Sequence, residues 1–161
     1  MEWLAVLRWL HVVGATVLLG TGAGIAFFMV MAQRTGRAEL VAHVAETVVV
    51  ADIVFTATAV VAQPITGALL ARASGWSLTE GWIALSLALY VVTGLFWLPV
   101  VAIQIRLRNL ARAAQGRGES LPEESHRLFR VWVALGFPAF AAVLGIFWLM
   151  LARPSLPMLW R

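Results

Sequence analysis

The chain has 161 residues, 61% of them hydrophobic and only 12% charged, with a formal charge of +4 at pH 7 and a mean hydropathy of +0.88. Soluble domains run at about 45 to 50% apolar and 25% charged residues, so the composition excludes an ordinary water-soluble domain and points to one integral membrane domain over residues 1–161. Cysteine is absent, which excludes disulfides, thiolate catalysis, iron–sulfur clusters and Cys-type zinc sites.

All basic residues are Arg, and the isoelectric point is near 11.3. In a chain with so little soluble sequence, that charge fits an anionic lipid surface and not nucleic acid. Apolar runs extend over Trp3 to Ala32, Val41 to Ala71, Trp82 to Ile105 and Val131 to Ala152. Each exceeds the roughly 20 residues that a helix needs to cross about 30 Å of hydrocarbon. The expected fold is all-α: an antiparallel up-down bundle of four transmembrane helices over about 3–32, 39–72, 78–112 and 121–152. The first run is too long for a signal-peptide core and has no basic segment before it, so it reads as a retained span.

Helix 1 opens with Trp3 and Trp9 at belt positions, and Arg8 is close enough to the end to snorkel. His11 follows, on a face continued by Gly14 or Ala15, Leu18, Gly22 and Ile25. Small residues beside a His leave room for a neighbouring backbone or a flat ligand. Gly20, Gly22 and Gly24 lie within an apolar helix with no preceding strand, so they read as helix packing and not as a nucleotide loop.

Helix 2 starts with His43 and Glu46, which share one face. Asp52, Thr56, Ala59, Gln63 and Thr66 recur at helical spacing on another. An ionised Asp near the bilayer centre costs about 3 kcal/mol, so this second face must turn inward. Pro64 removes a backbone hydrogen bond, bends the helix and frees the Val60 carbonyl as a further interior polar group.

Ser77-Leu-Thr-Glu80 reads as a capping box starting helix 3, whose stripe is Trp82, Ser86, Tyr90, Thr93, Trp97 and Gln104, with a kink at Pro99. Ser120-Leu-Pro-Glu123 reads as a second box that starts helix 4 in water, and Gly136 and Pro138 break its pattern mid-span. Arg153 to Arg161 reads as an ordinary tail.

The first and third loops with their flanking helix ends carry Arg34, Arg37, Arg106, Arg108, Arg112, Arg117, Arg127 and Arg130, whereas the other side carries Arg8, Arg72, Arg153 and Arg161. The positive-inside rule then places both termini outside the cytoplasm of a bacterial inner membrane.

Depth decides which groups can cooperate. His11 and His43 differ by roughly 25 Å and cannot ligate one metal. Near the Arg-rich end, Asp52 or Glu46 can pair with Arg106 or Arg130, either as a structural salt bridge or as part of a proton relay. Toward the other end, His11 faces Gln63 and Thr66, Ser86 and Tyr90, and the Trp148 to Met150 segment. An imidazole there can be a haem axial ligand, with haem b as the cofactor and Gln63 and Tyr90 nearby, or it can simply be hydrogen-bonded to a hydroxyl or amide.

The runs LRWLHVVGATVLLGTGAGIAFFMVMAQR, HVAETVVVADIVFTATAVVAQPITG, ALYVVTGLFWLPVVAIQIRLRNLA and LFRVWVALGFPAFAAVLGIFWLMLARP resemble the bacterial integral membrane proteins of domain-of-unknown-function family twenty-two sixty-nine. That resemblance implies a four-helix inner-membrane protein and carries no activity with it. Leu10-His11 followed by small residues also resembles the first helix of the HemJ-type protoporphyrinogen oxidases and of the copper-resistance CopD proteins, which implies haem binding at His11. The chain departs from HemJ in lacking its Pro-Arg motif around Phe27 to Met31 and in having no Lys.

Two functions follow as expectations. One is a haem- or tetrapyrrole-associated membrane redox protein; the other is a small transport or accessory subunit using the Asp52 stripe, working as a homo-oligomer or with a membrane partner protein. A purely structural membrane protein stands behind both. No hydrolase, nucleotide-binding or nucleic-acid motif is present.

Overall fold

The computed structural model describes residues 2–157, and the expected tail position Arg161 lies outside them. The described residues form α1 (Glu2–Arg34), α2 (Ala38–Ala73), α3 (Gly81–Arg117) and α4 (Glu123–Ala152), each long and apolar enough to cross a membrane, with no strand among them. Pro64, Pro99 and Pro138 all lie inside continuous helix.

Small residues gather the helices at one end. Ala32 of α1, Ala38, Val41 and Ala42 of α2, and Ala111 and Ala114 of α3 pack with Leu121 of the third connection. Alanine at these positions lets the backbones approach closely, as association in lipid requires when apolar burial supplies no driving force. A larger cluster lies next to it, formed by Ile25, Met29, Ala45, Val48, Val100, Leu107 and Trp132. The second connection and the end of α4 are held together separately by Ala71, Trp82, Ile83 and Leu149. Phe27, Phe28, Phe55, Leu95, Phe137 and Leu151 are each more than half exposed on the outer surface. In water that surface would drive aggregation; in a bilayer it is the solvated face.

Between the clusters, α2 contains a feature that periodicity does not announce. Residues Asp52–Thr56 form a π-helical turn, flanked by α-helix over Ala38–Ala51 and Ala57–Ala73. The Ala57 amide bonds the Asp52 carbonyl five residues back, so one residue is gained without breaking the rod. Ile53, Val54 and Phe55 point outward while Asp52 and Thr56 stay buried.

Several sequence expectations need correction. Neither capping box forms: α3 begins at Gly81 behind Glu80, and α4 at Glu123 behind Pro122, with no side-chain cap at either. The Ser77 hydroxyl is committed to the Thr79 amide and hydroxyl at 3.2 and 2.7 Å, a local turn that competes with capping. The residues after α4, as far as Pro157, pack back on α3 where an ordinary tail was expected. A Cβ at Gly81 would lie 2.6 Å from both the Leu156 Cβ and the Pro157 carbonyl oxygen, and the Arg153 guanidinium lies 5.7 Å from the Trp82 ring centroid. Gly20, Gly22 and Gly24 do not serve helix packing within the chain, because a Cβ at any of them would meet nothing within 4 Å.

Candidate functional site

The stripe read from α2 is the interior of the bundle. Asp52, Thr56, Ala59 and Gln63 are buried and Thr66 is half-buried. What each polar group meets is decided by its level.

Nearest the Arg-rich end, Asp52 is 4% exposed and meets an amide, not an arginine: Gln104 Nε2 donates to Asp52 Oδ2 at 2.9 Å. Gln104 is fully buried and its Oε1 accepts from Trp132 Nε1 at 3.2 Å. An indole can only donate, so Oε1 must face Trp132 and the amide N–H must face the carboxylate; one orientation satisfies both bonds. The expected pairing of Asp52 or Glu46 with Arg106 or Arg130 does not form. Arg106 donates to Glu124 at 2.6 and 2.8 Å, Arg130 stands 4.0 Å from Glu123, and Glu46 pairs with Arg112. All of these side chains are solvent-exposed at the bundle end, where charge costs least to keep. His43 is likewise exposed.

Toward the opposite end, the Tyr90 hydroxyl donates to the Val60 carbonyl, the very group that Pro64 leaves without an amide partner. A tyrosine on α3 thus supplies the donor that proline removed from α2. One turn further, Gln63 Nε2 donates to the His11 carbonyl at 2.9 Å, and Gly14 provides the room, since a Cβ there would fall on that same nitrogen. His11 Nδ1 lies 2.8 Å from Thr66 Oγ1. That hydroxyl lies 2.8 Å from the Ala62 carbonyl, where its single hydrogen is committed, so it accepts from His11 Nδ1–H. The tautomer this selects leaves the Nε2 lone pair free. Gly67 permits the ring to lie against α2, where a Cβ would be 3.2 Å from His11 Cε1. Met150 packs instead with the Ala71, Trp82, Ile83 and Leu149 cluster.

The middle of the column has unused hydrogen-bonding capacity. Asp52 meets Gln104 and Val60 meets Tyr90; Thr56 is midway between Asp52 and Val60, and Trp97 midway between Gln104 and Tyr90, so the two stand at about one level. Thr56 Oγ1 and Trp97 Nε1 are both buried, and neither bonds an atom of the described residues. Elsewhere in the spans Thr16, Thr47, Thr58, Thr66, Ser86 and Thr93 each return their hydroxyl to the carbonyl four residues back. Thr56 closes the π turn, where the corresponding carbonyl, Asp52 O, takes the Ala57 amide.

Sequence reasoning placed Gln104 on the inward stripe of α3 but missed Trp132. The available signal was a Trp about ten residues inside α4, deeper than an interfacial belt residue. Among the described residues no group of three or more His, Asp or Glu is arranged to hold a metal ion.

A family model described as predicted integral membrane protein matches residues 5–154. No curated protein and no solved structure matches the chain, and the first-helix likeness to HemJ and CopD proteins finds no support there. With a match over nearly its full length and four apolar spans enclosing a polar column, the chain belongs to the DUF2269 family of predicted integral membrane proteins.

Proposed function

We propose that this protein is a small transport or accessory subunit of the bacterial inner membrane, alone as a homo-oligomer or beside a membrane partner protein, whose working group is Asp52. The observation that carries this reading is a carboxylate 4% exposed within a span, its only hydrogen bond among the described residues coming from a neutral amide. An ionised carboxylate at such depth costs about 3 kcal/mol on the insertion scale, and intramembrane carboxylates that face the bundle interior mark ion pathways and proton relays. Polar side chains recur from Asp52 past Thr56, Trp97 and Tyr90 to Gln63 and His11, a polar interior where lipid offers none. The eight arginines of one end support a cytoplasmic position for that end, with both termini outside.

Proteoliposomes with a trapped pH indicator test the reading. Wild-type protein is expected to equilibrate a pH step faster than empty vesicles, and Asp52→Asn to remove the excess rate while keeping the helical spectrum. Equal rates in the two proteins, or no excess over empty vesicles, would overturn it.

One observation favours a second reading, in which His11 is the axial ligand of haem b or a related tetrapyrrole. The Thr66 hydroxyl selects the tautomer whose Nε2 lone pair is free, the orientation that a hydrogen bond to the far nitrogen gives a metal-bound imidazole. On this reading His11 would hold the iron, Gln63 and Thr66 would orient it, and the group would supply one-electron chemistry. Protein purified in detergent after haem-replete expression would show a Soret band that His11→Ala removes.

A further inference from the structure

We infer that Thr56 and Trp97 bind a water molecule that passes protons to and from Asp52. This rests on the reading of Asp52 as a proton-exchanging group and names the donor that serves it.

Three observations converge. Thr56 is 7% exposed, and both its hydroxyl and the Trp97 indole nitrogen are buried without a partner among the described residues. Leaving a buried polar group unbonded costs about as much as losing a hydrogen bond outright, so two such groups at one level call for a common ligand. The Thr56 hydroxyl stands at the end of the π turn and is not returned to its own helix. Thr58 and Thr66 of the same helix instead bond the carbonyls four residues back. Among the described residues Asp52 takes its hydrogen bond at Oδ2, which leaves Oδ1 for another donor, and Asp52 opens the same turn.

The chemistry of these groups selects the ligand. An indole N–H is only a donor, which repels a bare cation and requires an acceptor. A carboxylate oxygen requires a donor. A hydroxyl can be either. Water is the small molecule that accepts from Trp97, donates to Asp52 and exchanges roles with Thr56, and a buried water needs two to four such partners. A proton reaching this water makes hydronium. Transfer breaks one of its O–H bonds and forms Oδ1–H, leaving neutral water and a neutral carboxylic acid; the reverse step releases the proton.

The test uses the full chain, isotopically labelled, in detergent micelles and in proteoliposomes. Magnetization transfer from water to the Trp97 indole N–H, assigned by its loss in Trp97→Phe, is expected in wild type and in Asp52→Asn. It is expected to weaken in Thr56→Val and return in Thr56→Ser. Proton equilibration is expected to fall about tenfold in Thr56→Val, the loss of one hydrogen bond to a reacting group, and to recover in Thr56→Ser. Should Thr56→Val not fold, Trp97→Phe carries the same flux measurement. An indole with no water contact, or a wild-type proton rate in the variant that folds, overturns the inference while leaving Asp52 its role. Loss of the Asp52→Asn effect with the water contact intact overturns the role of Asp52 and leaves the water site.

Discussion

The two places where this molecule carries acidic side chains between helices follow different rules. At the Arg-rich end, Arg106 with Glu124 and Arg112 with Glu46 tie helices together with full charges, all of them in contact with solvent. Within the span, Asp52 is held by a neutral amide that is itself held by an indole. The difference teaches where charge pairing is useful. Arginine reaches water at a helix end for little cost, but burying one beside Asp52 would add the desolvation of a second ion. A neutral chain fixes the carboxylate without burying a second charge beside it.

The comparison can be broken most forcefully at its centre. Gln104→Leu removes the donor to Asp52 and orphans the Trp132 indole together, and is expected to destabilise the protein by about 3 kcal/mol, read from denaturant unfolding in detergent. Adding Asp52→Leu in the same chain is expected to recover much of that loss, because an apolar replacement leaves no buried carboxylate behind. Gly14→Val tests the same interior by volume. With Gln63 Nε2 already where a Cβ would fall, it is expected to cost about 2 kcal/mol in the same assay.

A finer probe is Tyr90→Phe, expected to cost about 1 kcal/mol, in line with interhelical hydrogen bonds measured in lipid. Its cause can be isolated with Pro64→Ala. Restoring an amide at position 64 gives the Val60 carbonyl its own partner, so Tyr90→Phe is expected to cost distinctly less in that background. The smallest effect belongs to the charged end. Arg106→Ala removes an exposed pair and is expected to change stability by about 0.5 kcal/mol or less, and less still in high salt.

The spans and the inward face of α2 were legible because each is a property of a single helix. Hydropathy over about 20 residues defines a crossing segment, and a period near 3.6 places Asp52, Thr56 and Gln63 on one side. The freed carbonyl at Val60 was legible for the same reason, since Pro64 acts on its own helix. The partners were not. Asp52 had Arg106, Arg130 and Gln104 within comparable depth, and the choice of Gln104 depends on how α3 is rotated and how far it slides against α2. Trp132 enters through α4, a third rod whose position no segment of α2 encodes. The π turn belongs to the same class, because one gained residue leaves composition and hydropathy untouched while shifting the Ala57 amide onto the Asp52 carbonyl. Periodicity along the chain thus settled what must hide from lipid. The relative rotation and depth of packed helices settled which groups meet once hidden, since hydrogen bonds act over about 3 Å and sequence spacing cannot resolve distances between separate rods to that precision.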